Sequence, residues 1–315
     1  METEKCLRLL FILFALVCLM PGSWAVDFAS LAHTGVAMKS DWIEFQSANL
    51  MHIPDLIISG KNTWQYPYDY IPVYAENQTI KGTFHGPVGM AGSEVLVSIS
   101  SFNTSTFLEG FKKMDIPAKI EGNVSRLQLN RSGDASFDLN KTSEGMYTIS
   151  VIDENNSTTL SALPLLITSG EMSIDAQAQI ASGDVLVLRT NISASENVSK
   201  IFAAMMISRT DFENGSLRIS SNSGTDDDLN STLSLGNKSV SMRGIPKISS
   251  ELLMQIITLL PADSAVGMQE TNGDGAEIIL ITGSEWEKGN YILICGVYSP
   301  GKGLSGIKEM EIEVI

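Results

Sequence analysis

Short runs rich in β-branched residues, separated by Gly, Asn, Asp and Ser, are the feature that most constrains this fold. Such runs are typical of strands joined by turns. Their spacing favours antiparallel sandwiches. The sequence therefore predicts a mainly β fold of tandem antiparallel, Ig-like β-sandwich domains with one or two short inserted helices. The clearest predicted strands are 94–100, 147–152, 163–168, 184–189, 277–282, 291–297 and 308–315.

Helical periodicity is clear only at 247–260, where apolar residues recur at mostly three- and four-residue steps and Pro261 ends the pattern. A second candidate helix covers 106–114. The run 201–207 (IFAAMMI) fits either a helix or a buried strand. We prefer the strand.

Two parts of the sequence echo each other. Gly133 precedes one predicted strand and a Gly-X-Tyr element ending at Tyr147 opens the next. Gly273 and Tyr291 repeat this arrangement. The echo predicts two copies of one sandwich, in which each tyrosine packs at a corner with its hydroxyl hydrogen-bonded.

The N-terminus predicts export. Residues 1–25 combine Lys5 and Arg8 with an apolar run, a Pro-Gly pair and small residues before Ala25, as a cleavable signal peptide does. The alternative is an uncleaved N-terminal anchor. The predicted domains are an extended aromatic segment packed on the first sandwich (26–82), the first sandwich (83–170), and the second sandwich with its helix (171–315).

Charge and cysteine content narrow the function. The net charge of −15 disfavours binding to nucleic acid or to anionic headgroups. Cys295 is the only cysteine outside the predicted signal, so the exported fold relies on its hydrophobic core instead of internal disulfides. A buried, inert thiol is the expected role of Cys295, with an intermolecular bridge as the alternative.

Sites for N-glycosylation are the most specific motif. Twelve of the seventeen asparagines begin Asn-X-Ser/Thr, whereas chance would give roughly three such sites. The alternative is that Asn, Ser and Thr share turns. The last quarter of the chain has no such site, which suggests a surface covered by a partner, a membrane or the rest of an assembly. The predicted sites are Asn77, Asn103, Asn123, Asn130, Asn140, Asn155, Asn156, Asn191, Asn197, Asn214, Asn230 and Asn237.

The richest aromatic stretch lies between residues 64 and 74. Its prolines keep it extended, so its rings are candidates for a platform that stacks on sugars or contacts a partner protein. The alternative is a linker strand packed across the first sandwich. The candidate binding residues are Trp64, Tyr66, Tyr68, Tyr70 and Tyr74.

Asp226, Asp227 and Asp228 form a polar acidic cluster. Three carboxylates with backbone oxygens are candidate Ca²⁺ ligands, and a solvated loop is the alternative. No other cofactor is expected. The histidines, His33, His52 and His85, stand at no zinc-binding spacing, and the sequence contains no Gly-X-Ser-X-Gly elbow.

A signal peptide, an aromatic N-terminal stretch ending in DYIPVY (69–74), many glycosylation motifs and paired Gly-X-Tyr units occur together. In this combination the chain resembles a family of exported surface proteins of methanogenic archaea to which no function is assigned. The resemblance spans essentially residues 26–315. It implies a tandem Ig-like glycoprotein at the cell surface.

These features together predict a non-enzymatic secreted or cell-surface glycoprotein. We expect it to act in adhesion, envelope structure or ligand capture, with other surface proteins or glycans as partners. Membrane association would be indirect or through an anchor not seen in this chain. Two alternatives remain: an extracellular carbohydrate-active hydrolase that uses the acidic cluster, and an accessory subunit of an exported complex.

Overall fold

The structure is a computed structural model that describes most of the chain from Trp42 onwards. The described residues are mainly β, with several antiparallel sheets, so the predicted mainly β class is confirmed. They form two compact units, here called the N-terminal unit (42–50 and Ile71–Ile167) and the C-terminal unit (Met51–Tyr70 and Thr168–Ile315). The described ranges are 42–59, 63–65, 70–101, 123–140, 143–153, 158–193, 198–221, 229–243, 258–300 and 303–315.

The first group of strands forms two sheets. Its members are β1 (Trp42–Gln46), β2 (Asn49–His52), β5 (Tyr70–Ala75), β6 (Ile80–His85), β7 (Glu94–Ser101), β8 (Asn123–Gln128), β9 (Asp134–Leu139), β10 (Gly145–Asp153) and β11 (Thr158–Thr168), with a 3₁₀ turn at Val88–Met90. One sheet has the order β1-β6-β9, and the other has the order β2-β5-β11-β10-β7-β8. Side chains alternate between buried and exposed along β9, so one face of its sheet is covered by core and the other faces solvent.

The C-terminal unit contains two sheets that share one hydrophobic cluster. Its strands here are β12 (Met172–Asp175), β13 (Gln179–Ile180), β14 (Val185–Ile192), β15 (Lys200–Ser208), β19 (Ala265–Thr271), β20 (Gly275–Ile281), β21 (Gly289–Ser299) and β22 (Gly303–Val314). The sheet orders are β12-β14-β20 and β13-β22-β21-β15-β19. Leu186 and Leu280 from the first sheet lie in the same buried cluster as Phe202 and Leu293 from the second. Burial of these apolar side chains stabilises the unit.

A third sheet in the C-terminal unit combines two distant parts of the chain. Its strands are β3 (Asp55–Ser59), β4 (Thr63–Gln65), β16 (Ser216–Ser221), β17 (Leu229–Leu235) and β18 (Lys238–Arg243), and the short helix α1 (Arg209–Glu213) precedes β16. The order is β18-β17-β16-β3-β4, and β3 pairs with β16 in parallel. The prediction had assigned all of 26–82 to the first sandwich. The structure instead groups Met51–Tyr70 with the C-terminal unit, because β3 completes this sheet.

The predicted strands agree with the structure, and the ambiguous run 201–207 lies in β15. Both faces of β15 are buried, which explains its continuous apolar sequence. Of the predicted helix 247–260, only the last residues are described, and Thr258 and Leu259 are helical. The remainder of that segment and the candidate helix 106–114 lie outside the described residues.

The corner tyrosines confirm one detail of the internal echo. The Tyr147 hydroxyl donates a hydrogen bond to the Ser143 carbonyl at 3.0 Å. The Tyr291 hydroxyl donates one to the Glu287 carbonyl at 2.9 Å. Each acceptor lies four residues before its tyrosine. In both copies a glycine with positive φ, 144° at Gly145 and 152° at Gly289, stands two residues before the tyrosine. Both tyrosines are buried, and each hydroxyl is satisfied, as expected.

Candidate functional site

The predicted glycosylation sites are exposed residues wherever their side chains are described. An accessible amide nitrogen is the first requirement for attaching an oligosaccharide, and attachment at an exposed residue disturbs no core packing. Asn123 lies in β8, and its side chain is not described; Asn103, Asn155, Asn156 and Asn197 fall outside the described residues. The exposed asparagines are Asn77, Asn130, Asn140, Asn191, Asn214, Asn230 and Asn237.

Turn chemistry explains several of these positions. Asn77 lies in the turn between β5 and β6, and Asn237 follows Gly236 in the two-residue turn between β17 and β18. Gly236 has a φ of 53°, a conformation that glycine adopts at low cost. At Asn130 the side-chain oxygen accepts hydrogen bonds from the backbone nitrogens of Ser132 and Asp134, at 2.8 and 3.0 Å. Those bonds use Oδ1, whereas a glycan would be attached to Nδ2.

Asn191 lies in a strand, and Asn214 lies in the turn that ends α1. Asn214 follows the last residue of α1. Asn191 lies on the outward face of β14, and its side chain extends over Gly275 of β20. A Cβ placed on Gly275 would stand 2.3 Å from Asn191 Oδ1, so a larger residue at this position would displace the Asn191 side chain.

The aromatic stretch does not form one continuous platform. Tyr74 is only 1% exposed, and its hydroxyl donates to the carbonyls of Gln46 at 2.9 Å and Lys81 at 3.1 Å. Burial raises the pKa of Tyr74. Its ring also makes an edge contact with Phe45, at 6.4 Å between centroids. Tyr74 is therefore a core residue, and its place among the candidate binding residues is corrected.

The other aromatic candidates are only partly described. Tyr70 is half-buried at the start of β5. Trp64 lies in β4, where its backbone pairs with Ile58, and its side chain is not described. Tyr66 and Tyr68 lie outside the described residues.

The acidic candidates give no metal centre within the described ranges. Asp226, Asp227 and Asp228 fall outside them. Among the described residues, no group of His, Cys, Asp and Glu side chains is arranged to hold a metal ion. Asp274, in the turn before β20, forms an ion pair with the buried Lys200 at 2.8 Å.

Two further polar clusters have structural explanations. The ring of His85 stands between two carboxylates, with Nδ1 3.1 Å from Asp134 Oδ1 and Nε2 3.3 Å from Glu44 Oε2. These contacts join three neighbouring strands, β1, β6 and β9. Near α1, burial raises the pKa of Asp211, and the nearby charges of Asp263 and Glu287 raise it further. The Tyr291 hydroxyl lies beside this second cluster, 3.2 Å from Asp263 Oδ2.

Cys295 is fully buried in β21, in agreement with the expected inert thiol. Burial raises its pKa, which keeps the thiol protonated and unreactive. Within the described ranges, no helix is long and apolar enough to cross a membrane.

One exposed feature was not identified from the sequence. Val185 and Val187 of β14 and Ile279 and Ile281 of β20 all point to solvent, and we call these four residues the outer apolar face. The sequence runs DVLVLR and EIILIT already indicated such a face, because apolar residues occupy both faces of each strand. The sequence alone did not show which of those faces is covered.

Comparison with known proteins assigns no family. No family model matches the chain, and no curated protein sequence matches it. The fold is similar to part of the crystal structure of red sea bream transglutaminase, with a TM-score of 0.29 and 6% sequence identity. The alignment covers 92% of this chain and 33% of that one, so this chain spans about a third of its length. A similarity this weak carries no functional conclusion.

Proposed function

We propose that this protein is an exported, N-glycosylated, non-enzymatic surface or secreted protein. It acts in adhesion, envelope structure or partner binding. The observation that carries the proposal is the exposure of every predicted glycosylation site whose side chain is described, from Asn77 to Asn237. A core asparagine in this motif would count against glycosylation, and none occurs among those side chains.

The Ig-like arrangement that we propose for both units supports a recognition role. In the C-terminal unit, the order β12-β14-β20 fits strands A, B and E of an Ig-like sandwich, and the order β22-β21-β15 fits strands G, F and C. The orders β1-β6-β9 and β11-β10-β7 repeat this pattern in the other unit. The corner tyrosines lie at the starts of β10 and β21, the expected position on strand F. Sandwiches of this type present loops and sheet faces to partners, and the core holds those surfaces in place.

The surface chemistry also supports a protein or glycan partner. The acidic net charge keeps a secreted chain soluble and repels polyanions. The last predicted glycosylation site is Asn237, so β19 to β22 carry none. Strands without glycans leave sheet faces open to a partner, which also fits the accessory-subunit alternative.

The test is site occupancy in the secreted protein. The full chain, including residues 1–25, is expressed in a host with N-glycosylation, and glycopeptides are mapped by mass spectrometry. We expect modification at Asn77, Asn130 and Asn237, and loss of one glycan for each Asn→Gln substitution. Asn49 is the matched control, because it lies in a described strand without the motif. A secreted protein with none of the three sites modified would refute the proposal.

A further inference from the structure

The outer apolar face is a compact patch formed by two neighbouring strands. β14 and β20 are antiparallel, and their register places Val185 opposite Ile281 and Val187 opposite Ile279. The four side chains are 52%, 70%, 41% and 55% exposed in that order. Contiguous exposed apolar side chains on this scale commonly mark an interaction surface.

The patch borders an open stretch of sheet edge, because the neighbouring strand ends early. β12 pairs with β14 only as far as Asp175 opposite Arg189, and the chain then continues to β13 in the other sheet. The first half of β14 therefore has no neighbour on that side within the described sheet. The result is a shallow groove of about 310 Å³ beside the patch, lined by Asp175, Ala176, Gln177, Val185, Val187 and Arg189.

Charges of opposite sign stand next to the patch on the same face. Arg189 and Glu277 are directly opposite each other, one register step beyond Val187 and Ile279. Their side chains form an exposed ion pair at 3.5 Å. The face therefore has an apolar part and a charged part, arranged in order along the strands.

This arrangement is self-complementary for one symmetry operation. A two-fold axis parallel to the strands, placed over the midline between β14 and β20, exchanges these strands and preserves position along them. Two faces stacked in this way place Arg189 above the partner's Glu277 and Val187 above the partner's Ile279. Apolar side chains then meet apolar side chains, and each charge meets its opposite. An axis perpendicular to the strands cannot satisfy both parts of the face: centred on the apolar residues it leaves the ion pairs apart, and centred between the two parts it places the apolar residues on the ion pairs.

We propose that the outer apolar face binds a second copy of this chain, forming a two-fold dimer through the sheets β12-β14-β20. The apolar patch is on the order of a few hundred Å² per copy, below the roughly 800 Å² per partner of a standard interface. The dimer is consequently weak and depends on concentration. Asn191 lies at the end of the same face, where a glycan would interfere with the stacking, so the dimer is proposed for chains that carry no glycan at Asn191.

The experiment uses the full secreted chain carrying Asn191→Gln, so that no glycan stands on the face. Analytical ultracentrifugation up to about 100 μM measures self-association of this parent. We expect a concentration-dependent dimer. Arg189→Glu alone and Glu277→Arg alone should each raise the dissociation constant about tenfold or more, because each creates two like-charge contacts between copies.

Mixing these two variants separates an interface from a folding defect. Both charged positions are acidic in the Arg189→Glu variant, and both are basic in the Glu277→Arg variant. Each acidic side chain of one variant therefore meets a basic side chain of the other, so we expect heterodimers with affinity near that of the parent. If Arg189 and Glu277 acted only within one chain, mixing the two variants would not restore dimer formation. Lys81→Glu and Asp138→Lys change an exposed ion pair of 3.7 Å on other strands and leave the outer apolar face intact, so each should dimerise with the affinity of the parent and mixing them should change nothing.

A pair of apolar substitutions completes the test. Val187→Thr should weaken the dimer, whereas Val266→Thr, at a valine of β19 with almost the same exposure (42% against 41%), should leave it unchanged. A parent that stays monomeric throughout would overturn the proposal. So would a mixture that associates no better than its components, or equal effects of the two threonine substitutions.

Discussion

Removing the hydroxyl of Tyr291 tests the tyrosine corner that recurs in both units. In Tyr291→Phe the ring still stacks on Trp286, with centroids 5.1 Å apart, so packing is preserved while the hydrogen bonds are lost. The single hydroxyl proton is shared between the Glu287 carbonyl at 2.9 Å and the Asp263 carboxylate at 3.2 Å. A buried neutral hydrogen bond contributes about 1 kcal/mol, and a charged acceptor adds to this. Because Asp263 is partly exposed and regains water, we expect a total loss of about 1.5 kcal/mol.

Hydrogen exchange with mass spectrometry provides a local readout. Some amides exchange only when the whole unit unfolds. For these amides, a loss of about 1.5 kcal/mol lowers the protection factor roughly tenfold. We expect this in peptides from β20, β21 and β22. Tyr147→Phe loses only contacts with Ser143, so the expected loss is about 1 kcal/mol, in peptides from β9, β10 and β11. Unchanged protection in both variants would refute the assignment of the tyrosines as structural corners.

Two glycines, the Cys295 thiol and the Asp211 carboxylate give three further predictions. Gly133 and Gly92 both have positive φ, 88° and 80° respectively. A Cβ on Gly133 would also stand 2.7 Å from the Gly86 carbonyl oxygen, whereas a Cβ on Gly92 would have no neighbour within 4 Å. In urea unfolding we therefore expect a cost of about 1 kcal/mol for Gly92→Ala and about 2–4 kcal/mol for Gly133→Ala; equal costs would contradict the close approach. The Cys295 thiol should react with Ellman's reagent only after denaturation, and rapid labelling of the native protein would show that β21 is not buried as described. Asp211→Asn should stabilise the protein at pH 7, because burial, Asp263 and Glu287 raise the pKa of Asp211. That gain in stability should disappear as the pH falls through the raised folded-state pKa towards the ordinary value of 3.8, because Asp211 then becomes protonated in both the folded and the unfolded state. A constant gain across this pH range would exclude the negative charge of Asp211 as its cause.

The sequence was informative where structure depends on local pattern. β9 alternates in hydrophobicity, and Gly-X-Tyr corners combine a positive-φ glycine with a buried tyrosine, so both could be read from short segments. Asparagines in turns were exposed for the same reason, since the residues that favour turns place them at the surface.

Pairing between distant segments could not be read in this way. The parallel contact of β3 with β16 joins residues more than 150 positions apart, and no local pattern specifies such a partner. Tyr74 was misassigned because composition shows that a stretch is aromatic without showing which side chains reach the carbonyls of Gln46 and Lys81. The outer apolar face was missed because an apolar run resembles a strand buried on both faces.

Intact mass and N-terminal sequencing of the protein recovered from outside the cell test the central proposal most directly. The full chain is expressed with its own first 25 residues in a host capable of N-glycosylation. We expect a chain that begins at Val26 and whose mass exceeds that of its polypeptide by several glycans. A chain that stays inside the cell, begins at Met1 and has the unmodified polypeptide mass would contradict both export and glycosylation.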